Sequence, residues 1–158
     1  MGKTTKNKEK IKKFVRQFSA GGAAFKTSNN GKTKWLIVKP AGVDRWQLPK
    51  GQIEKNEKSI EAAIREVKEE GGVITKVIEK IGSSSYFYVF EDTKCFKTVT
   101  YFLMEIVKKT KEGHDEEVDK VSFQEFEKAY DLLSFKDDKN ILKKAKEMLE
   151  SPIQKTLT

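Results

Sequence analysis

Residues 51–73 read GQIEKNEKSIEAAIREVKEEGGV, and the interpretation of the whole chain starts from them. Ser59 precedes a run of strong helix formers, which predicts a helix with Ser59 as its N-cap. The glycines at 71–72 predict the end of that helix. At about 100° per residue, one arc of the helix is apolar and should face a core. This arc holds Ile60, Ala63, Ile64 and Val67.

A second arc of the same helix, centred roughly 120° from the first, carries three glutamates. They are Glu66, Glu69 and Glu70. Three carboxylates on one face repel one another, so a helix without a further role would not favour them. An ordinary solvated acidic face is the alternative. Carboxylate oxygens suit Mg²⁺ and Mn²⁺, and Mg²⁺ is usually held by a few carboxylates plus substrate phosphates. The arc therefore predicts a divalent metal site.

The full spacing of this stretch decides between the two interpretations. Its fixed positions are Gly51, Glu57, Arg65, Glu66, Glu69, Glu70 and Gly72, with Val67 and Val73 as the apolar members. This pattern resembles the Nudix box, G-x5-E-x7-R-E-U-x-E-E-x-G-U with U apolar, and every defined position is filled. Seven such identities match by chance on the order of 10⁻⁸ per start position. The resemblance implies an α/β/α sandwich with a mixed β-sheet. It also implies a hydrolase that uses Mg²⁺, for which Mn²⁺ can substitute, to cleave a diphosphate linked to another moiety.

Roles at the box follow from charge and from the resemblance. Hydrolysis of a phosphoanhydride needs a metal to neutralise the phosphates and an activated water. We expect Glu66 and Glu70, one turn apart, to ligate one cation, with Glu69 on a second cation or on a metal-bound water. The Gly51 carbonyl is a further candidate ligand because glycine permits close backbone approach. The resemblance implies that Arg65 orients a box glutamate through its rigid guanidinium.

Two supporting residues and a distant loop complete the predicted machinery. The resemblance gives Glu57 and Gly72 supporting roles. The general base varies among Nudix enzymes, and a distant loop sometimes supplies it. The acidic loop GHDEEV at 113–118 contains Glu117, whose offset from the following strand resembles the family arrangement. Glu117 is therefore a candidate ligand or base, with a solvated acidic turn as the alternative. We interpret His114, the only histidine, as incidental.

Three further segments resemble the asymmetrical diadenosine tetraphosphate hydrolases. They are WQLPKG at 46–51, KTVTYFLME at 97–105 and LSFK at 133–136. Lys50 and Lys97 would contact a long phosphate chain as point charges, with ordinary surface lysine as the alternative.

An adenine needs an aromatic face, and stacking is worth about 1–3 kcal/mol per base. Phe135 matches a position that stacks on the base in those hydrolases, and Tyr86 or Tyr88 could supply the other face. A core or interface role is the alternative for either tyrosine. Trp46 and Tyr101 are interpreted as mainly structural.

The resemblance thus favours hydrolysis of diadenosine tetraphosphate to ATP and AMP, and other functions share the box. One alternative is a nucleoside triphosphate or RNA 5′-end pyrophosphohydrolase. Another is a diphosphoinositol polyphosphate phosphohydrolase, which would want more basic residues in the pocket loops. A non-catalytic nucleotide-binding module is a third, although such modules typically lose box glutamates.

Composition indicates a cytoplasmic protein of one domain. The chain has 158 residues and no apolar run near the ~20 residues that span a bilayer. A single cysteine, Cys95, excludes an internal disulfide and is interpreted as inert in a reducing compartment. We expect a monomer or homodimer that binds a nucleotide and no membrane.

Charge divides the chain into segments. Residues 1–16 hold six lysines and one arginine against one glutamate, which is most of the formal net charge of +8. We expect a mobile basic extension there, a Nudix domain over 17–150 and a tail over 151–158. The extension can recruit polyanions, which makes RNA a candidate partner.

Periodicity and turn residues predict the elements. We expect strands over 18–26, 35–39, 46–48, 73–81, 86–90, 98–107 and 121–123. We expect helices over 59–70, 124–133 and 137–150.

Overall fold

The computed structural model describes residues 13–114, 116 and 118–151. Within these residues the strands are β1 (Lys13–Thr27), β2 (Thr33–Pro40), β3 (Lys50–Gln52), β4 (Val73–Phe90), β5 (Thr93–Lys109) and β6 (Val118–Gln124). The helices are α1 (Ser59–Gly71), α2 (Phe126–Leu132) and α3 (Lys136–Glu150). The order of elements is the predicted one, with one helix between strands and two helices after the last strand.

Strand β1 lies in the middle of the sheet. It pairs in parallel with β5 over residues 13–25, and its other edge pairs antiparallel with β2 and β3. The strand order is β4-β5-β1-β2-β6, with β3 attached to β1. The remaining pairings are antiparallel, so the sheet is mixed as predicted. Because β1 is bonded on both edges at residues 19–21, the segment that carries Gly51 is held to the centre of the sheet.

Helices cover both faces of the sheet, each over its own core. On one face α1 contributes Ala62, Ala63 and Val67 to a cluster that includes Ala20 and Ala24 of β1. On the other face α2 and α3 pack over the side chains of odd-numbered residues in β1 and β5. That second cluster contains Ala23, Phe25, Val99, Tyr101, Leu103, Ala129, Ile141, Leu142 and Ala145. The two layers confirm the α/β/α sandwich.

Helix α1 is rotated from the predicted orientation. Ile60 and Ile64 are exposed, so their assignment to the core-facing arc was wrong. The buried arc is built from Ala62, Ala63 and Val67, and it continues into Glu66 and Glu70. Small side chains let the helix lie close to the sheet, which larger isoleucines on that arc would prevent.

The caps of α1 agree with prediction at one end only. Lys58, not Ser59, occupies the N-cap position. Its backbone N–H donates to the Glu61 carboxylate at 3.3 Å, which satisfies one free donor of the first turn. At the other end Gly72 has φ of +68°, a left-handed conformation in which glycine is free of strain.

Several boundaries differ from prediction. β1 begins at Lys13, so the last four residues of the predicted extension are in the sheet, where they pair with residues 93–96. β4 is one strand across the two predicted segments, with register shifts between residues 74 and 82 absorbing the irregularity. Trp46 and Gln47 form isolated bridges instead of a strand. Residues 1–12 and 152–158 lie outside the described part.

No helix among the described residues is long and apolar enough to cross a membrane.

Candidate active site

The predicted box residues meet where β3 faces α1. Glu66 is buried, and its carboxylate lies directly against Gly51. A Cβ at position 51 would sit 2.0 Å from the Glu66 carboxyl carbon, so any residue other than glycine would displace this carboxylate. The next turn of the helix presents Glu70, also buried, whose carboxylate accepts the Lys50 backbone N–H at 3.3 Å. Two carboxylates one turn apart thus face two successive residues of β3.

Arg65 joins Glu66 to two further carboxylates, those of Glu57 and Glu69. Its guanidinium donates to both oxygens of Glu57 at 2.8 and 2.9 Å, a bidentate pair. The same group donates to Glu66 at 2.7 Å, to Glu69 at 3.3 Å and to the Gln52 carbonyl at 3.0 Å. Arg65 therefore fixes Glu66 in place, which is the orienting role that the resemblance implied. We call Glu57, Arg65, Glu66, Glu69 and Glu70 the carboxylate cluster.

The electrostatics of the network depend on the Arg65–Glu57 pair. The Arg65 hydrogen bond, aided by the Glu54 backbone N–H, lowers the pKa of Glu57 from 4.5 to about 2. In return Glu57, and then Glu66, raise the pKa of Arg65 above its usual range. Because the folded pKa of Glu57 is depressed, its stabilising contribution is present above pH 4.5 and is lost as the pH falls toward 2. Both groups are charged at neutral pH.

The donor chemistry of this site suits a hard divalent cation. Glu66 and Glu70 are oxygen donors placed against the backbone of Lys50 and Gly51, where the Cβ of any other residue would fill the space. Glu69 is partly exposed and bound to Arg65, so it lies nearer to solvent than the other two. No group of three or more His, Cys, Asp or Glu side chains at metal-binding spacing occurs among the described residues. Mg²⁺ commonly takes a few carboxylates and completes its coordination with water and phosphate oxygens.

The acidic loop before β6 lies near the end of α1. The Thr110 backbone N–H donates to the Gly72 carbonyl at 2.8 Å, and a Cβ on Gly72 would meet Gly113 at 2.7 Å. A side chain at position 72 would therefore collide with the backbone of Gly113, while the supporting role of Gly72 stays a prediction. Glu117 lies outside the described residues, so its role as ligand or base stays a prediction. His114 is exposed at the surface of this loop.

Beside the carboxylate cluster lies a cavity of about 250 Å³, which we call the ring pocket. Its lining residues are Lys50, Ser84, Tyr86, Tyr101, Phe135, Asp137 and Asp138. The Phe135 ring is 40% exposed, with the guanidinium carbon of Arg45 5.2 Å and the Lys50 Nζ 5.9 Å from its centroid. Tyr86 is 38% exposed on the strand opposite. The structure thus brings together Lys50, Phe135 and Tyr86, three of the predicted substrate residues.

Two other predicted residues lie outside this lining. Lys97 is the cross-strand partner of Tyr86 and occupies the neighbouring position on the same face of the sheet. Tyr88 donates its hydroxyl hydrogen to Gln17 at 2.5 Å, and the neighbouring Cys95 thiol raises the pKa of that hydroxyl. Tyr88 therefore belongs to the sheet surface, and Tyr86 is the tyrosine of the ring pocket.

Asp138 is a positioning residue that the sequence did not reveal. Its buried carboxylate accepts the Leu48 backbone N–H at 3.1 Å and the Tyr101 hydroxyl at 3.0 Å. Burial raises its pKa, against the opposing effects of Lys50 and of these hydrogen bonds. Asp138 thus ties the start of α3 to the segment that leads into Lys50. In the sequence it looks like an ordinary acidic residue in the first turn of a helix.

Arg45, whose guanidinium lies near the Phe135 ring, is a second residue that the sequence did not indicate, because it belongs to no motif. Tyr101 was interpreted as structural, and it is deeply buried in the core, although it also contributes to the wall of the ring pocket.

An open groove lies beside Glu66 of the carboxylate cluster. It has a volume of about 530 Å³ and is lined by Lys50, Gly51, Gln52, Ile53, Glu54, Lys55 and Glu66. Lys50 lines both this groove and the ring pocket, so the two are neighbours at this residue. A larger cavity of about 620 Å³ lies at the other end of β1 and β2, where none of the box residues line it.

Comparison with known proteins agrees with this geometry. Residues 22–145, well over half of the chain, match the family described as NUDIX domain. A curated relative, "Putative mutator protein MutT4" of Mycobacterium tuberculosis, is 29% identical over 141 residues. The match covers 86% of this chain and 57% of the length of that relative. The m7GpppN-mRNA hydrolase of Saccharomyces cerevisiae is 38% identical over 64 residues, which is 40% of this chain and 6% of that protein. The chain therefore spans little more than half of the first relative and a small part of the second.

A solved structure shows the same fold. The crystal structure of a C. elegans Ap4A hydrolase binary complex matches with a TM-score of 0.70 and 23% identity. The match covers 85% of this chain and 98% of that one. At this identity the likeness concerns the arrangement of strands and helices.

Proposed function

The chain belongs to the Nudix family, and from that premise we propose that it is a metal-dependent hydrolase of phosphoanhydride bonds in nucleoside diphosphate-linked substrates. The observation that carries this proposal is the intact carboxylate cluster. Glu66 is pressed against Gly51 and held by Arg65, while Glu70 is bound to the Lys50 backbone. Two carboxylates one turn apart beside a glycine backbone supply the hard oxygen ligands that a divalent cation such as Mg²⁺ takes.

Glu66 and Glu70, with the Gly51 carbonyl, would hold Mg²⁺, and Mn²⁺ could replace it. A bound Mg²⁺ neutralises phosphate charge and lowers the pKa of water. The protein side chains do the rest. Arg65 keeps Glu66 in one orientation, and Lys50 adds positive charge at the junction of groove and ring pocket. Glu69, which is nearer to solvent, and Glu117 are the candidates to accept the proton of the attacking water.

We infer diadenosine tetraphosphate as the preferred substrate. Phe135 and Tyr86 offer exposed rings in a cavity of about 250 Å³ that shares Lys50 with the groove. One adenine would stack in the ring pocket while the phosphate chain follows the groove past Glu66. The Arg45 and Lys50 cations near the Phe135 ring favour an anionic ligand there.

The reaction balances with water as the only co-reactant. The water oxygen bonds to the fourth phosphorus counted from one adenosine, and the bond from that phosphorus to its bridging oxygen breaks. The bridging oxygen leaves with the first three phosphates as ATP, and the fourth phosphate leaves as AMP. When both new terminal phosphates are fully ionised, both hydrogens of the water are released as protons. The likeness to a hydrolase of Ap4A supports this choice of substrate by analogy of fold.

Product analysis by ion-exchange chromatography tests both levels of the proposal. The protein is incubated with Mg²⁺ and, separately, with diadenosine tetraphosphate, 8-oxo-dGTP, triphosphorylated RNA and a diphosphoinositol. We expect equal amounts of ATP and AMP from the first, at a kcat/KM well above the others, and no turnover with EDTA. Release of pyrophosphate or phosphate from RNA or the nucleotide alone would keep the hydrolase and reject the dinucleotide. No turnover of any of the four would favour a binding module.

A further inference from the structure

The sheet extends beyond helix α1 and carries a row of aromatic rings. Three strand segments form this extension, namely residues 13–18 of β1, 83–90 of β4 and 93–100 of β5. Side chains alternate between the two faces of a strand, and paired residues share a face. The registers therefore place one set of side chains on the face that α1 covers further along. The aromatic and cationic members of this set, which we call the aromatic face, are Phe14, Arg16, Phe18, Phe87, Lys94 and Phe96.

The rings of this face are adjacent and open to solvent. Phe14, Phe18 and Phe87 are 53%, 53% and 56% exposed, which is unusual for phenylalanine. The Phe87 and Phe96 centroids are 4.6 Å apart, and those of Phe14 and Phe87 are 6.5 Å apart. Neighbouring exposed rings of this kind commonly mark an interaction surface. Since α1 packs over Ala20 and Ala24, these rings lie beyond its cover.

Cations lie directly among the rings. The Lys94 Nζ is 4.7 Å from the Phe87 centroid, and the guanidinium carbon of Arg16 is 5.8 Å from Phe14 and 5.9 Å from Phe96. The three strand segments contain no aspartate or glutamate, and the nearest acids along the chain are at the hairpin tip, Glu91 and Asp92. A surface of this charge is complementary to a polyanion.

The sequence continues this charge toward the N-terminus. Residues 1–12 contain five lysines and one glutamate, and they lead directly into Lys13 at the start of β1. Any ligand on the aromatic face therefore lies next to the point where the lysine-rich segment joins the sheet. This connection adds to the preference for an anionic partner.

We propose that the aromatic face binds single-stranded nucleic acid. Unpaired bases stack on exposed rings without regard to sequence, and cations between the rings contact the phosphates. A duplex hides its base faces and gains only the electrostatic part. A second copy of the chain fits the face poorly, because Arg16 and Lys94 would meet the same cations of the other copy.

None of the six residues of the aromatic face is among those that line the groove or the ring pocket, although the Phe18 carbonyl accepts the backbone N–H of Ile53, a groove residue. Phe87 points to the face of β4 opposite to Tyr86, which lines the ring pocket. The inference therefore does not depend on the proposed function. Hydrolysis of a dinucleotide and binding of an oligonucleotide can succeed or fail independently.

Fluorescence anisotropy of labelled oligo(U) and oligo(dT) with the full chain tests the proposal. Phe87→Ala and Phe14→Ala should each weaken the Kd about tenfold, as expected for the loss of one stacked base. Phe90→Ala is the matched control, since Phe90 belongs to the same hairpin, is 67% exposed and points to the other face. It should change the Kd less than twofold, as should Phe87→Tyr, which keeps an aromatic ring. None of these variants changes the charge of the chain, so the salt dependence of binding should stay the same.

Three results would overturn the proposal. The first is that a duplex of equal length binds as tightly as the single strand, which would mean that charge alone accounts for the binding and that bases do not stack on the rings. The second is equal weakening by Phe90→Ala and Phe87→Ala. The third is that neither oligonucleotide binds at 100 mM salt, whereas vesicles of phosphatidylserine and phosphatidylcholine bind to the wild-type chain and not to Phe87→Ala. The aromatic face would then bind a membrane surface. Thermal unfolding of each variant identifies any that misfold. If Phe87→Ala misfolds, Phe14→Ala, near the start of β1, replaces it as the test variant.

Discussion

The carboxylate cluster and the ring pocket are adjacent and share Lys50 as a neighbour, yet they are built in opposite ways. The cluster comes from one loop and one helix, residues 57–70, and is held by ion pairs of 2.7–3.3 Å around Arg65. The ring pocket draws on β3, β4, β5 and the start of α3, and its main features are ring faces. One region is local and charged, whereas the other is assembled from distant parts of the chain.

This difference has a consequence for substitution. In the cluster each carboxylate is oriented by a charged or backbone partner, so a single change disturbs several contacts at once. In the ring pocket, a ring can be removed without touching Arg65 or Glu66. Changes in the cluster should therefore abolish hydrolysis, and changes in the pocket should alter substrate preference.

The largest effect is expected for Glu70→Gln. Gln keeps an oxygen that can accept the Lys50 N–H, so the fold should be retained, while the negative charge is lost. Loss of a charge that holds the metal should lower kcat/KM on the order of 10³-fold. Steady-state hydrolysis at saturating Mg²⁺ measures this change.

Glu61→Gln is the matched control on the same helix. Glu61 is exposed and caps the Lys58 N–H, a role that Gln can also fill. Its activity should stay within twofold of wild type. If Glu70→Gln kept more than a tenth of the activity, Glu70 would have no place in the chemistry.

A smaller loss is expected for Gly51→Ala, which tests geometry without changing charge. The new Cβ would lie 2.0 Å from the Glu66 carboxyl carbon, so the Glu66 carboxylate must move from its position. A displacement of about 1 Å at a reacting group costs roughly 10²-fold in rate. Gly82→Ala is the control, because there the nearest atom to a Cβ is the Lys144 Nζ at 3.6 Å. Equal activity of the two variants would show that the contact at Gly51 is unimportant.

The same contrast explains what could be predicted from the sequence. The carboxylate cluster could be predicted because its residues are close along the chain and their spacing is set by helix geometry. Even so, the burial of Ile60 and Ile64 was wrongly predicted, because periodicity does not show that small residues allow closer packing. The strand patterns predicted the sheet and its layers. They did not predict that β4 is one unbroken strand, because its register shifts interrupt the alternation of apolar and polar residues.

The ring pocket could be predicted only through resemblance. Asp138 lies 90 residues from Leu48, and nothing local to either residue indicates their hydrogen bond. Arg45 contacts Phe135 by the same kind of long-range packing. Contacts of this type depend on how α3 docks on the sheet, which is a property of the whole fold.

Phe135→Ala should act on specificity. Removal of the stacking ring should raise KM for diadenosine tetraphosphate about tenfold while kcat changes less than twofold. KM for inorganic or inositol pyrophosphates, which have no base, should stay nearly constant. Phe90→Ala again serves as an exposed-ring control distant from the pocket. A proportional loss on all substrates would mean that Phe135 supports the cluster and not a base.

The smallest effect, for Tyr101→Phe, concerns the link between the two regions. The Tyr101 hydroxyl donates to Asp138 at 3.0 Å, and Asp138 also holds the Leu48 backbone N–H ahead of Lys50. Without the hydroxyl, a buried carboxylate oxygen loses its partner, so the free energy of unfolding should fall by about 1–3 kcal/mol.

Activity should change little in Tyr101→Phe, because the Leu48 contact still positions the strand. Urea unfolding of this variant beside Tyr130→Phe, which removes a hydroxyl from a half-buried ring on α2, measures the difference. If Tyr101→Phe instead lowered kcat as strongly as Gly51→Ala, the ring pocket and the carboxylate cluster would form one mechanical unit. Their separation into a region for hydrolysis and a region for specificity would then be wrong.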